Sequence, residues 1–230
     1  MKITIIHGQS HKGSTYHIAR MIAEKTGGDI TEFFLPRDFG EFCTGCFSCF
    51  SKSERSCPHY EKLRPITEAL DSADVIILAS PVYVFHASGA MKALLDHYGY
   101  RWMVHRPDEK MFSKQAVCVS TAAGAGMKST NRDMADSARF WGIAKVYSFG
   151  VPAAAVSWKD VSEKKKASIE KAAEKIAEKL KKNCGNVTPS PRTKAIFESM
   201  RIFQLKGGIS ETDASYWKKK GWLGNKRPWH

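Results

Sequence analysis

No stretch of this 230-residue chain approaches the ~18 consecutive apolar residues of a membrane span. The first residues open directly on a strand-like run at 2–6, without the charged and apolar regions of a signal peptide, so a cytoplasmic location is expected and no membrane partner. Two nucleotide signatures are also missing: the chain has neither a Walker loop nor a Gly-x-Gly-x-x-Gly turn. Internal repeats and low-complexity stretches are absent as well, which leaves an ordinary globular core as the frame. At 230 residues with 43% hydrophobic content, that frame is one substantial domain plus an appendage.

Charge and cysteine are not scarce, and their placement matters. The net charge is +13, yet residues 1–158 hold 18 Lys+Arg against 15 Asp+Glu, whereas residues 159–230 hold 18 against 8. The excess therefore belongs to the tail. A solvated helix face and a basic terminus account for it, and nucleic acid is not the expected partner, although a nucleic-acid surface is the alternative. Six cysteines in a reducing compartment are expected to be thiols, and the four packed between Cys43 and Cys57 point to metal before disulfides.

Apolar strand-like runs recur at 3–6, 30–35, 75–79, 116–120 and 146–151, with helical stretches between most of them, the alternation of a parallel α/β sheet. A first helix is expected to be capped by Ser14 or Thr15 and stopped by Gly27-Gly28; another spans 60–72. Met91, Leu94 and Leu95 mark a third, and Met134, Ala138 and Trp141 a fourth. Ile169, Ala172, Ala173, Ile176, Ala177 and Leu180 form a stripe that closes one face of the sheet. Asn183, Gly185 and Pro189-Ser190-Pro191 break the pattern, so the expected division is 1–185 as the domain and 186–230 as a basic, aromatic extension. That extension carries a helix at 193–205 and Trp217, Trp222 and Trp229, whose burial requires docking on the domain or on a second subunit.

Three small-residue loops follow strand-like runs: Ser10-His11-Lys12-Gly13-Ser14-Thr15, Ser80-Pro81-Val82-Tyr83 and Thr121-Ala122-Ala123-Gly124-Ala125-Gly126. In an open parallel sheet such loops crowd together at the carboxyl ends of the strands, where the ligand crevice lies. The first suits an anion, since Gly13 admits close approach and Ser14 and Thr15 add hydroxyls to the free N–H groups of a helix start. The third lets a flat ring lie against backbone.

Ser80-Pro81-Val82-Tyr83-Val84 continues into Ser88-Gly89-Ala90-Met91-Lys92-Ala93-Leu94-Leu95-Asp96. Together with the first loop, it resembles the flavodoxin-like NAD(P)H-dependent FMN reductase family, including its iron–sulfur flavoprotein branch, over residues 1–183. The resemblance implies a three-layer α/β/α sandwich on a five-stranded parallel sheet of order 2-1-3-4-5. It also implies FMN, with NAD(P)H as co-substrate and a quinone, flavin or nitro compound as acceptor, in a homodimer or tetramer. The FMN phosphate falls to Ser10, Lys12, Gly13, Ser14 and Thr15, the ring edge to Pro81, Val82, Tyr83 and Val84, and the far side to Thr121, Ala122, Gly124 and Gly126. Such flavin chemistry needs no side-chain nucleophile, so no catalytic residue is named. The first loop departs from the family form: it is a residue shorter and has His11 where arginine is common.

Cys43-x-x-Cys46-x-x-Cys49 followed by Cys57-Pro58 has ferredoxin-like spacing and can wrap a [4Fe–4S] cluster, which makes an electron carrier with a redox-protein partner the main alternative. Zinc through the four thiolates, or with His59, is a second occupant of these residues. Unligated thiols near a flavin are a third, because Cys43-Thr44-Gly45-Cys46 also has the form of family members without a cluster. A zinc knuckle combined with the basic tail is the basis of the nucleic-acid or partner-binding alternative. Cys118, in a strand, and Cys184, past the long helix, are read as structural or incidental.

Overall fold

In the computed structural model, which describes residues 1–155 and 157–229, the chain runs β1 (Lys2–His7), α1 (Ser14–Thr26), β2 (Asp29–Phe34), α2 (Ser48–Ser51), α3 (Tyr60–Ser72), β3 (Val75–Pro81), α4 (Gly89–His97), β4 (Gln115–Ala122), α5 (Met127–Phe140), β5 (Lys145–Pro152), α6 (Glu163–Asn183), α7 (Pro191–Leu205) and α8 (Glu211–Lys219). The five strands form one parallel sheet in the order β2-β1-β3-β4-β5. Both the order and the α/β/α layering agree with the sequence reading. Strands β3 and β4 are apolar on both faces because both are covered, whereas β2 and β5, at the edges, leave alternate residues partly open.

Each face of the sheet has its own core. On one side Ile18 and Ile22 of α1 and Ile169, Ala173 and Leu180 of α6 pack on Ile3, Ile5, Val75 and Ile77. On the other, Leu63, Ile66 and Leu70 of α3, Leu94 of α4 and Met134 and Trp141 at α5 pack on Ile6, Ile76 and Leu78. The alternation of strand residues between faces sends odd positions of β1 to one core and Ile6 to the other.

A third core joins the last forty or so residues to the rest: Phe197, Trp217 and Trp222 enclose Phe112 and Met103, with Trp229 packed against them. Phe197 stacks on Trp217 at 4.9 Å, and Trp217 Nε1 donates to the His105 carbonyl at 2.6 Å. The helix at 193–205 begins two residues earlier than expected, because Ser190 caps it and Pro191 occupies its first turn. Helix α8 was not foreseen. Among the described residues, no helix is long and apolar enough to cross a membrane.

Candidate functional site

The three loops meet. Their shared cleft, about 220 Å³, is lined by Gly13, Ser14 and Thr15 from the first, Pro81, Val82 and Tyr83 from the second, and Thr121, Ala122 and Ala123 from the third. Hydrogen bonds tie each loop to the others. Thr15 Oγ1 and Thr121 Oγ1 are 2.6 Å apart, the Val82 N–H donates to the Thr121 carbonyl at 2.9 Å, and the Tyr83 hydroxyl donates to Gln9 Oε1 at 3.1 Å. Ser88, which caps α4, donates its hydroxyl to the Gly8 carbonyl at 2.6 Å and receives its own fixing through Ser80 Oγ. Register explains the meeting, since Pro81 pairs with Thr121 across β3 and β4.

The cap of helix α1 lies one residue before the expected Ser14: Gly13 is its N-cap and Ser14 its first residue. That shift frees Ser14. Its Oγ is buried and has no hydrogen-bond partner among the described residues, while the first turn of α1 carries no acidic side chain. A buried hydroxyl left unmatched beside the N–H groups of a helix start is satisfied by an incoming anion, so the cleft fits a phosphate group. The small side chains of Ala122, Ala123, Ala153 and Ala155 leave a low wall opposite, which fits a flat ring. A larger cleft of about 570 Å³ lies elsewhere, among Lys128, Arg132, Arg139 and Arg192, but its lining is mostly charged and carries no such wall of small residues.

Several residues named from sequence lie outside this lining. Ser10 donates its hydroxyl to the Leu35 carbonyl at 3.1 Å, toward the end of β2. The Lys12 ammonium sits over the Tyr16 ring at 5.2 Å. Val84 is 93% exposed at the tip of a tight turn in which Tyr83 and His86 exchange backbone hydrogen bonds, with Val84 and Phe85 both at positive φ. Gly124 is not on the wall. Gly126, at φ +96, is the N-cap of α5; a Cβ there would stand 2.6 Å from Val82 Cγ1 and 3.2 Å from Phe85 Cα, so its role is to let the second and third loops touch. Gln9, His11, Ala153 and Ala155 line the cleft without having been named. Gln9 and His11 flank the Ser10 turn, and the two alanines follow β5, a fifth strand end whose position on the same rim gave the available signal.

At the far end of β1, His7 is held below its usual pKa, chiefly by burial and against the pull of Glu32 Oε1 at 2.9 Å. Burial thus disfavours its charged form, and its ring packs on Tyr16 of α1 and Phe34 rather than lining the cleft.

A second cavity, about 370 Å³, gathers Cys43, Cys46, Cys49 and Cys57 with His59 and His97. The thiols differ. Burial, and then the neighbouring Cys57, Cys43 and Cys46, push the Cys49 thiol up to about 11, whereas hydrogen bonds from the backbone and hydroxyl of Ser48 lower that of exposed Cys46. The loop is clamped from outside. Arg106 donates to the carbonyls of Cys49 and Phe50, and also to Asp213 Oδ1 of α8 at 2.5 Å. Asp213 is buried, and His105 Nδ1 meets its other oxygen at 2.9 Å. Desolvation works against that carboxylate, but His105 and Arg106 hold its pKa below the usual range.

A family model described as NADPH-dependent FMN reductase matches residues 1–157, from β1 past β5 and through all three loops of the cleft. The chain is 27% identical over 208 residues to an iron–sulfur flavoprotein of Archaeoglobus fulgidus, covering 87% of this chain and 88% of that one. It is 28% identical over 156 residues to an NADPH azoreductase of Bacillus sp., covering 66% of this chain and 74% of that one. Among solved structures a flavone reductase shares the fold at a TM-score of 0.58 and 20% identity, over 83% of this chain and 66% of that one. The matched segment supplies every wall of the loop cleft, and the chain belongs to the NADPH-dependent FMN reductase family as an NAD(P)H-dependent flavin oxidoreductase.

Proposed function

We propose that the loop cleft seats FMN and that the protein passes electrons from NAD(P)H to a small acceptor of the quinone, flavin, nitro or azo class, in a reducing, cytoplasmic setting. Bound FMN supplies the capacity to take a hydride and hand its electrons on. The observation that carries this reading is the unmatched Ser14 hydroxyl at the start of α1, inside a cleft that three hydrogen-bonded loops keep in shape. Gly13, Ser14 and Thr15 hold the phosphate through N–H groups and hydroxyls. Pro81, Val82 and Tyr83 border the ring on one side, and Thr121 with Ala122 on the other. Ser10 and Lys12 act at the rim, and Val84 lies beyond it.

The test is a titration of the purified chain with FMN, followed by NADPH oxidation with a quinone. Tight stoichiometric binding and acceptor-dependent turnover are expected. Ser14→Ala is expected to leave the flavin-free protein as stable as before or up to about 1 kcal/mol more stable, because it removes an unmatched buried hydroxyl, while weakening FMN binding about tenfold. An unaltered FMN affinity in this variant removes Ser14 from the phosphate seat; no FMN binding by the parent chain removes the reading.

A second reading, an electron carrier with a [4Fe–4S] cluster, is supported by the four thiols lining one cavity and by the likeness to an iron–sulfur flavoprotein. Four iron and four sulfide per chain after anaerobic purification would favour it. Exposed Val84, Phe85, Ile202, Leu205 and Ile209 support a homodimer or tetramer, which light scattering measures.

A further inference from the structure

Two imidazoles that no motif connects lie in the thiol cavity: His59, just before α3, and His97, the last residue of α4. One nitrogen of each and Cys57 Sγ all lie within 4.8 Å of one another. His59 Nδ1 and His97 Nε2 are 2.9 Å apart. The far side of His97 settles its tautomer: Nδ1 is 2.7 Å from the Ala93 carbonyl oxygen, which only accepts, so Nδ1 bears the proton and Nε2 presents its lone pair to the cavity. A backbone carbonyl fixing ring and tautomer in this way is the usual support of a metal-bound imidazole. His59 Nε2 in turn faces Glu41 Oε2 at 4.0 Å, so a carboxylate stands where a proton must sit when Nδ1 gives up its own.

A hydrogen bond between two histidines accounts for their 2.9 Å contact but not for a thiol converging on the same point. We propose that Cys57, His59 and His97 form a mononuclear site for a borderline divalent cation of the zinc class, separate from the flavin cleft. Two nitrogens and one sulfur select such an ion over magnesium or calcium, which take oxygen ligands. Bond lengths of about 2.0–2.1 Å to nitrogen and 2.3 Å to sulfur place the donor atoms of a tetrahedral site about 3.3–3.6 Å apart, so the sulfur needs to close by at most about 1.2 Å and the two facing nitrogens to open by about 0.4 Å. Cys57 stands outside the regular helices, between a short 3-10 turn at Glu54–Ser56 and α3, so a turn of its side chain disturbs no helix. The same cavity carries the thiols of Cys43, Cys46 and Cys49, any of which can supply a fourth ligand.

On binding, the Cys57 thiol releases its proton to solvent, and the proton on His59 Nδ1 is replaced by one on Nε2 beside Glu41. No electrons move. The ion links the start of α3 to the end of α4 and closes the inner wall of the cavity. Cys57 cannot serve this site and a four-thiolate cluster at once, so the two are separable by experiment.

The test uses the whole chain, freed of metal by a chelator under anaerobic reducing conditions, then titrated with Co²⁺ and competed with Zn²⁺. One equivalent of cobalt is expected, with thiolate-to-cobalt charge transfer and intense tetrahedral d–d bands that Zn²⁺ abolishes. His97→Gln and Cys57→Ser should each weaken binding by about 100-fold or more, beyond the effect of losing an outer-shell partner, with FMN binding retained as evidence of folding. Absence of cobalt binding at micromolar concentration overturns the proposal. So does a cobalt spectrum that survives His97→Gln, or iron and sulfide reconstitution to four iron per chain that needs Cys57 and is indifferent to His97→Gln. Cobalt binding by a chain that binds no FMN would sink the flavin reading and leave this site standing.

Discussion

The wall of the loop cleft is made of residues at the carboxyl ends of β1, β3, β4 and β5 or in the loops that leave them, and its loops are hydrogen-bonded to one another above two filled cores. The thiol cavity hangs instead on the stretch between β2 and α3, where residues 39–47 belong to no helix or strand, and its carbonyls are clamped by Arg106 under the hold of Asp213 in α8. One site comes with the sheet. The other is held in place by a segment that joins the molecule through aromatic packing.

If that contrast is right, damage to the tail reaches the thiols and spares the flavin. The largest expected effect is from Trp217→Ala, which empties the centre of the third core and costs about 3–5 kcal/mol in chemical denaturation. Cys49 should then be alkylated much faster while FMN affinity stays within about twofold, as for a distant, independent site. A parallel loss of FMN affinity would break the contrast. Next comes Asp213→Asn, which leaves Arg106 and His105 facing a neutral amide in a buried position, at a cost of about 3 kcal/mol read from the urea midpoint, again with faster alkylation of Cys49.

The converse variant is Gly126→Val, which forces a β-branched residue into φ +96 against Val82 and the Phe85 backbone. Backbone strain of about 1–3 kcal/mol at the junction of two loops should weaken FMN binding by about 10- to 100-fold in a fluorescence titration. The rate of Cys49 alkylation should not change. The smallest effect is pH dependence, and both regions contribute. His7 behind the cleft and His97 in the cavity are each held below the usual histidine value, in both cases chiefly by burial. The unfolded chain therefore takes up protons first as pH falls below about 6.5, and stability declines from there toward the lower folded-state values. Urea midpoints at about pH 7.5 and about pH 5.5 measure the decline, and His97→Gln should reduce it.

Much of the first region was legible in sequence because its physics is periodic. The fully covered strands β3 and β4 read as continuous apolar runs, the helix expected at 60–72 is α3, and Pro81 and Thr121 fall in one site by the logic of parallel strand ends. What escaped depends on distances along no single element. Ser10 and Lys12 belong to the right loop but turn toward Leu35 and Tyr16, a choice set by tertiary neighbours. His97 reads as an ordinary residue near the end of α4, and only the fold brings it 2.9 Å from His59. Helix α8 carried a signal that went unused: Ser210 three places before Asp213 is a helix start, and Ser210 Oγ accepts from the Asp213 N–H. Asp213 is also the residue that reaches Arg106.

The Asp213–Arg106 clamp has a temporal meaning for a chain made from its amino end. Once the chain has emerged as far as Ala155, just past β5, every lining residue of the loop cleft has been synthesised. The four thiols were made far earlier, yet the carboxylate that steadies their loop is translated only at position 213, some sixty residues after β5. Until α8 has been made, ribosome-bound intermediates therefore present Cys43, Cys46, Cys49 and Cys57 without that support, after the loop cleft already has its walls.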